Sequence, residues 1–264
     1  MIDIHTHILP GLDDGAKDIN ESINILKELI SQGVQEVIAT PHIISGVYDN
    51  NKKIIEDKIK ELNSEIANQK LQIKIHKGAE LYCEPNLVEK TKREELNLAG
   101  SKYILIESDM QRFPDNFEDI LFQFQLAGYI PILAHAERFT PFMNDFNYLI
   151  DIVNRGILIQ INSGSLFGDY GDNVKKLAHK LLQTGCVHFI ASDVHGLNTR
   201  PIMLKDVYKF LSDNFNEDLA KLLLVENPKR IILNQEIEYM VEDYYVEEET
   251  KQTFIEKIRN FFRI

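Results

Sequence analysis

Short apolar runs alternate with longer stretches of helical spacing through most of this chain, and no other sequence feature narrows its fold as far. The runs are MIDIH at 1–5, EVIATPH at 36–42, QIKIHKGAE at 72–80, KYILIE at 102–107, YIPILAH at 129–135, GILIQIN at 156–162 and VHFIASDVH at 187–195. Strands interleaved with helices imply parallel βαβ units, because a parallel neighbour requires a crossover. The first helical stretch begins at Asp18, where an acceptor followed by Glu21 matches a capping box, and it sets Ile23, Leu26, Leu29 and Ile30 on one face. Others run through about 52–69, 117–128, 144–155 and 172–185, and Gly33, Gly128, Gly156 and Gly185 stand where helix C-caps are expected. With 264 residues, 44% of them hydrophobic, the chain has ample material for a core.

Chemistry collects where these runs end. His5 and His7 are two residues apart, so in a strand they project side by side, and Asp13 and Asp14 follow in the next turn. His42, Glu80, Glu107 and His135 close the second to fifth runs, and Asp193 and His195 close the seventh. A parallel barrel gathers all carboxyl ends on one face. Five of the eight histidines would then meet the carboxylates of Asp14, Glu80, Glu107 and Asp193 in one small area. Without a metal, that crowd would carry large desolvation and like-charge penalties. Bound divalent cations remove them, and the number of donors suits two or three ions with bridging carboxylates.

Taken together, HTHILPGLDDG, TPH, GAELY, LIE, HAERF and ASDVHGLNTRP resemble the PHP (polymerase and histidinol phosphatase) superfamily. In order and spacing they are similar to its bacterial metal-dependent protein-tyrosine phosphatases of capsule and exopolysaccharide loci, the CpsB/CapC/YwqE-like family. The resemblance spans residues 1–235 and implies an α/β fold: a distorted seven-stranded (β/α) barrel with its metal site at the C-terminal ends of the strands. It also implies three divalent ions, usually manganese, with iron, zinc, cobalt or magnesium as other occupants. His5, His7, Glu80 and Asp193 would hold the first ion, and Glu80 would bridge to a second held with Glu107 and His135. Asp14, His42 and His195 would hold the third, with Asp13 the alternative to Asp14. Arg138 and Arg200 correspond to the family's phosphate-binding arginines, where a guanidinium fork grips phosphoryl oxygens. The implied reaction is hydrolysis of phosphotyrosine by a metal-activated hydroxide. The implied partner is a bacterial tyrosine kinase that controls polysaccharide synthesis. A histidinol-phosphate type of phosphomonoesterase, a metal-dependent nuclease and a non-catalytic phosphotyrosine- or kinase-binding module are the competing readings.

The remaining features bound these choices. A net charge of −12 argues against a nucleic-acid partner. No apolar run reaches membrane-spanning length and the first residues lack a signal-peptide pattern, so a cytoplasmic location is expected. His76, His179 and His188 read as structural histidines. Cys83 and Cys186 read as buried small hydrophobes, and neither has arginine six residues later (Glu89 and Ser192 stand there), as a cysteine-phosphatase loop would require. Residues 236–264 form a separate region, an acidic connector with Tyr239, Tyr244 and Tyr245 followed by a basic amphipathic end. There Phe254, Ile258, Phe261 and Phe262 share a helical face, with Lys257, Arg259 and Arg263 on the polar side. Such a helix suits peripheral membrane contact or packing on the barrel or a neighbouring subunit, which leaves a homo-oligomer open.

Overall fold

The computed structural model describes residues 1–197 and 200–237. The tail from Tyr239 to Arg263, with its amphipathic pattern, lies outside the described residues. The strands are β1 (Ile2–Thr6), β2 (Glu36–Ala39), β3 (His42–Ile43), β4 (Lys74–Lys77), β5 (Glu80–Tyr82), β6 (Tyr103–Glu107), β7 (Ile130–Leu133), β8 (Leu158–Asn162) and β9 (Phe189–Ala191). The helices are α1 (Ile19–Ser31), α2 (Lys52–Asn68), α3 (Leu87–Glu94), α4 (Phe117–Leu126), α5 (Thr140–Asn144), α6 (Phe146–Asn154), α7 (Asp172–Gln183), α8 (Leu204–Asn214), α9 (Glu217–Lys221) and α10 (Asn227–Ile232).

The expected alternation is present, and every pairing between these strands is parallel. One sheet runs β1-β2-β4 and the other β3-β5-β6-β7-β8-β9. Beyond β9, Val194 bridges to Thr6 in parallel, and Asp193 N–H donates to the His5 carbonyl at 3.0 Å. The curled sheets therefore meet at β1. Among the described residues, nine short strands stand where seven runs were read, because two runs are interrupted. Thr40 and Pro41 separate β2 from β3, and Gly78 and Ala79 separate β4 from β5. A Cβ on Gly78 would lie 2.6 Å from the Ile38 side chain, so only glycine fits that crossing.

Alternation along the strands sorts the core from the site. One set of alternate positions, Ile4, Tyr103, Leu105, Ile132, Leu158, Phe189 and Ala191, packs together with Ile231 and Ile237 inside the sheets. The opposite set, including Ile104, Ile106, Ile159, Ile161 and Ile190, packs with Leu26, Phe124 and Leu181 from the surrounding helices. Each fully buried aliphatic chain contributes roughly 1.5–3 kcal/mol. Continuing the inner set toward the carboxyl ends gives Tyr103-Leu105-Glu107, Leu158-Gln160-Asn162 and Phe189-Ala191-Asp193. The same strand face is thus apolar at one end and polar at the other. In β1 the register slips between Asp3 and Thr6, the kind of irregularity that re-aims a side chain, and His5 lies within it.

Local signals read from the sequence are met with small differences. Asp18 caps α1 by accepting from Asn20 N and Glu21 N, but Glu21 returns its bond to Lys17 N rather than to the cap residue. Gly33, Gly128, Gly156 and Gly185 all take positive φ just beyond helix ends. The segment from α8 to α10, unassigned in the sequence, closes the amino-terminal end of the sheets through Ile231.

Candidate metal centre

Glu80 stands at the middle of the carboxyl-end cluster. Its Oε2 lies 3.2 Å from His5 Nε2, 3.3 Å from His7 Nε2 and 3.0 Å from His42 Nδ1, and its Oε1 is 3.0 Å from His135 Nε2. Asp193 Oδ1 lies 3.4 Å from His5 Nε2, 3.5 Å from His7 Nε2 and 3.4 Å from His195 Nδ1. Yet neither Glu80 Oε2 nor Asp193 Oδ1 has a hydrogen bond, although both are buried, and the His135 Nδ1 atom also has none. Several nitrogens surround each oxygen without pointing a proton along the bond. His5 Nε2 and His7 Nε2 face each other at 3.1 Å. Two imidazole nitrogens that close suit ligands sharing one cation, since metal–nitrogen bonds of about 2.0–2.1 Å place neighbouring donors about 3 Å apart.

Three overlapping donor groups result: His7, Asp14, His42 and His195; His5, His7 and Asp193; and His42, Glu80 and Glu107, with the donor atoms of each group within 4.8 Å of one another. All nine residues singled out in the sequence are brought together. The grouping differs in detail from the allotment the resemblance implied. His7 and His42 each belong to two groups, Glu107 Oε1 pairs with His42 Nδ1 at 2.7 Å, and His135 reaches the cluster through Glu80.

The two candidate aspartates separate cleanly. Asp14 Oδ1 is 3.3 Å from His42 Nε2 and 3.2 Å from His195 Nε2, and half of its side chain remains exposed. Asp13 turns inward, where it accepts from His7 Nδ1 at 2.8 Å, His42 N at 3.0 Å and Gly15 N at 3.0 Å. Burial opposes charge on His7, but Asp13 outweighs it, and the imidazole is pushed up to about 9. A Cβ on Gly15 would lie 2.2 Å from the His7 carbonyl oxygen, so the turn can close over His7 only with glycine there.

Both arginines reach this rim. Arg200 donates to Asp193 Oδ2 at 2.7 Å and to His195 Nδ1 at 2.8 Å. Arg138 lies 3.5 Å from the same Asp193 oxygen, with its guanidinium 4.5 Å over the Tyr170 ring. Tyr170 was not singled out in the sequence, nor were Gln160, Asn162, Glu137 and Asp3. Asp3 accepts from Ser192 N and His5 N, so it ties β1 to the turn after β9, and burial pushes its carboxyl up to about 6. Glu137 accepts from Asn162 N and Ser165 Oγ and holds the turn after β7 against β8. The available signal was a pair of polar residues at alternate positions of an otherwise apolar strand, QIN.

The histidines read as structural lie apart from the cluster. His76 pairs with Glu36, His179 donates to the Leu166 carbonyl, and His188 accepts from Ile159 N. Cys83 and Cys186 are buried, and burial pushes the Cys83 thiol up to about 12.

The chain matches a family model described as capsular polysaccharide synthesis, CpsB/CapC, over residues 1–233. It is 35% identical to the putative tyrosine-protein phosphatase CapC of Staphylococcus aureus over 248 residues, covering 92% of this chain and 96% of that one. It is 35% identical to the tyrosine-protein phosphatase YwqE of Bacillus subtilis over 238 residues, covering 90% and 93%. A crystal structure among those of YwqE from Bacillus subtilis and CpsB from Streptococcus pneumoniae, described as unique metal-dependent tyrosine phosphatases, superimposes with a TM-score of 0.87 at 33% identity. That alignment covers 92% of this chain and 100% of the other.

Proposed function

The chain belongs to the CpsB/CapC family of capsular polysaccharide synthesis, and from that premise we propose how its residues act. It is a metal-dependent tyrosine-protein phosphatase. The observation that carries the reading is the set of eight imidazole and carboxylate side chains in overlapping groups, joined by His135 through Glu80, with two arginines at its rim.

In our reading, His5, His7, Asp14, His42, Glu80, Glu107, His135, Asp193 and His195 hold the ions, and Glu80 joins the groups. Donors that are all nitrogen and oxygen, with no thiolate among them, suit manganese, and also iron, zinc or cobalt. Bound divalent ions supply activation of water at neutral pH and neutralise phosphoryl charge. Arg138 and Arg200 bind the phosphoryl oxygens and stabilise the charge that builds on them in transfer. Tyr170, stacked under Arg138, sets the plane of that guanidinium. The buried Cys83 thiol, pushed up to about 12, is not a nucleophile, and no covalent phospho-enzyme is expected.

The finer structural reading treats β2 with β3, and β4 with β5, as single interrupted strands, which gives a seven-stranded barrel. It divides the chain into a phosphatase domain at 1–235 and a tail at 236–264. Among the described residues, no helix is long and apolar enough to cross a membrane. The substrate we propose is a bacterial tyrosine kinase of capsule assembly, met at the cytoplasmic face of the membrane with the help of the basic amphipathic end of the tail.

A substrate panel with added manganese tests the function. Phosphotyrosine peptide is expected to turn over well above phosphoserine peptide, histidinol phosphate and single-stranded DNA. Preference for histidinol phosphate would return the chain to small-molecule chemistry. Binding of phosphotyrosine without turnover would make it a recognition module.

A further inference from the structure

β8 contributes none of the nine proposed ligands, yet its two polar side chains, Gln160 and Asn162, are completely buried at the edge of the cluster. A buried amide costs about 1–3 kcal/mol unless its hydrogen bonds are made. The side-chain bonds of these two either join them to each other or run to the site.

The atoms of both amides are fixed by their neighbours. The backbone N–H of His135 donates to Gln160 at 2.9 Å, and since that group only donates, the Gln160 atom it meets is the carbonyl oxygen, Oε1. The same oxygen faces His5 Nδ1 at 3.0 Å, so His5 Nδ1 must carry the proton. Gln160 Nε2 is left to donate to Asn162 Oδ1 at 2.9 Å. Asn162 Nδ2 in turn donates to Asp193 Oδ2 at 2.7 Å. One unbroken direction of donation runs from His5 through two amides to Asp193.

Two consequences follow at the cluster. With the Nδ1 proton held by Gln160, the lone pair of the neutral imidazole lies on Nε2, the atom that faces His7 Nε2 and Glu80 Oε2 at 3.1 and 3.2 Å. Asp193 has Oδ2 occupied by Asn162 and Arg200, while Oδ1, which has no hydrogen bond, turns to the imidazoles. His5 and Asp193 belong to one donor group, with His7.

We infer that Gln160 and Asn162 are positioning residues, a two-amide relay that locks His5 in its Nδ1–H form and aims one oxygen of Asp193 at the same ion. The inference rests on the metal reading above. Outer hydrogen-bond partners of this kind commonly change metal affinity by about 10–100-fold.

The test is a manganese titration of the full chain after removal of metal, with far-ultraviolet circular dichroism to verify folding. Gln160→Met keeps the volume and removes the acceptor, and its manganese affinity is expected to fall about 10–100-fold. Gln160→Glu keeps an oxygen facing His5 and His135 but loses the donor to Asn162, and it is expected to recover part of that loss. A Gln160→Met protein that titrates like wild type overturns the relay. Equal losses in both variants also overturn it, because they signal packing alone. If Gln160→Met does not fold, Asn162→Ala decides. It removes the Asn162 bond to Asp193 Oδ2 and leaves the Arg200 bond and the β8 backbone bonds in place, so unchanged affinity rejects the relay and about a tenfold loss supports it. Wild-type protein that binds no manganese would remove the metal reading itself, whereas normal wild-type binding with unaltered variants removes only the relay.

Discussion

The two ends of the strands use the same residue types in opposite ways. At the amino ends, Glu36 accepts from His76 Nε2 at 2.8 Å and from Lys229 at 2.6 Å. Tyr103 donates its hydroxyl proton to the Gln235 carbonyl, and Lys102 N to Asn234 Oδ1. The charged side chains named there, Glu36, His76 and Lys229, find their partners in one another. At the carboxyl ends, four histidines face carboxylates in overlapping groups and His135 faces Glu80, while Glu80 Oε2, Asp193 Oδ1 and His135 Nδ1 remain without hydrogen bonds. Charge pairs that only stabilise a fold settle into simple pairs. A cluster left unsatisfied by its own members is arranged around something else.

The strongest way to break this contrast is to remove metal. Chelation is expected to lower phosphotyrosine-peptide hydrolysis by more than about a thousandfold, beyond the effect of losing one transition-state donor. Manganese should restore it. Undiminished hydrolysis after exhaustive chelation would make the unsatisfied cluster a structural curiosity and end the proposed mechanism.

Next in size are the arginines at the rim. Arg138→Ala and Arg200→Ala are each expected to lower kcat/KM by about 30- to 1000-fold, equivalent to about 2–4 kcal/mol of transition-state stabilisation. Metal stoichiometry should stay that of the wild type. Wild-type kinetics in both variants would reduce the two residues to ion pairs with Asp193.

A smaller effect comes from a histidine away from the cluster. His188, just before β9, accepts from Ile159 N, and burial pushes its imidazole down to about 4. In the unfolded chain the same group titrates near 6.5, so between about 4 and 6.5 the unfolded state binds the extra proton. Its contribution is therefore fully present above pH 6.5 and is lost as pH falls toward 4, to a total of about 3 kcal/mol. Urea denaturation of wild type and His188→Asn at pH 7 and pH 5 reads this out. Asparagine can still accept from Ile159, and the variant should lose less stability on acidification. Identical losses would assign the acid sensitivity to the cluster alone.

How much of this was legible in the sequence follows from the chemistry of each residue. His5 and His7 flank a single residue and stand out by spacing, whereas Glu107, one carboxylate after an apolar run, takes its place among the proposed ligands from the family resemblance. The same reasoning passed over Gln160 and Asn162, because an amide is not a metal ligand and one strand cannot show what its neighbours donate. Pro41 and Gly78 break their strands from inside runs that read as continuous. Asp14 could be told from Asp13 only once the turn was folded over His7. The helices α8 to α10 follow the last metal-site residues and have no interleaved strands to mark them.

The smallest expected effect sharpens the comparison from the quiet end. His76 and Glu36 are both partly exposed, at 12% and 18% of their side-chain surface, so their pairing is partly screened. Burial outweighs Glu36 and leaves the His76 imidazole below its ordinary value, so at neutral pH the contact is a hydrogen bond more than an ion pair. Lys229 continues to hold Glu36 if the imidazole is removed. His76→Gln is therefore expected to cost no more than about 1 kcal/mol in urea denaturation. It should leave manganese affinity and kcat/KM at wild-type values, because neither His76 nor its partner Glu36 belongs to the donor groups. A severalfold drop in turnover from this substitution would show that the paired end and the unpaired end act as one network, and the division between them would not stand.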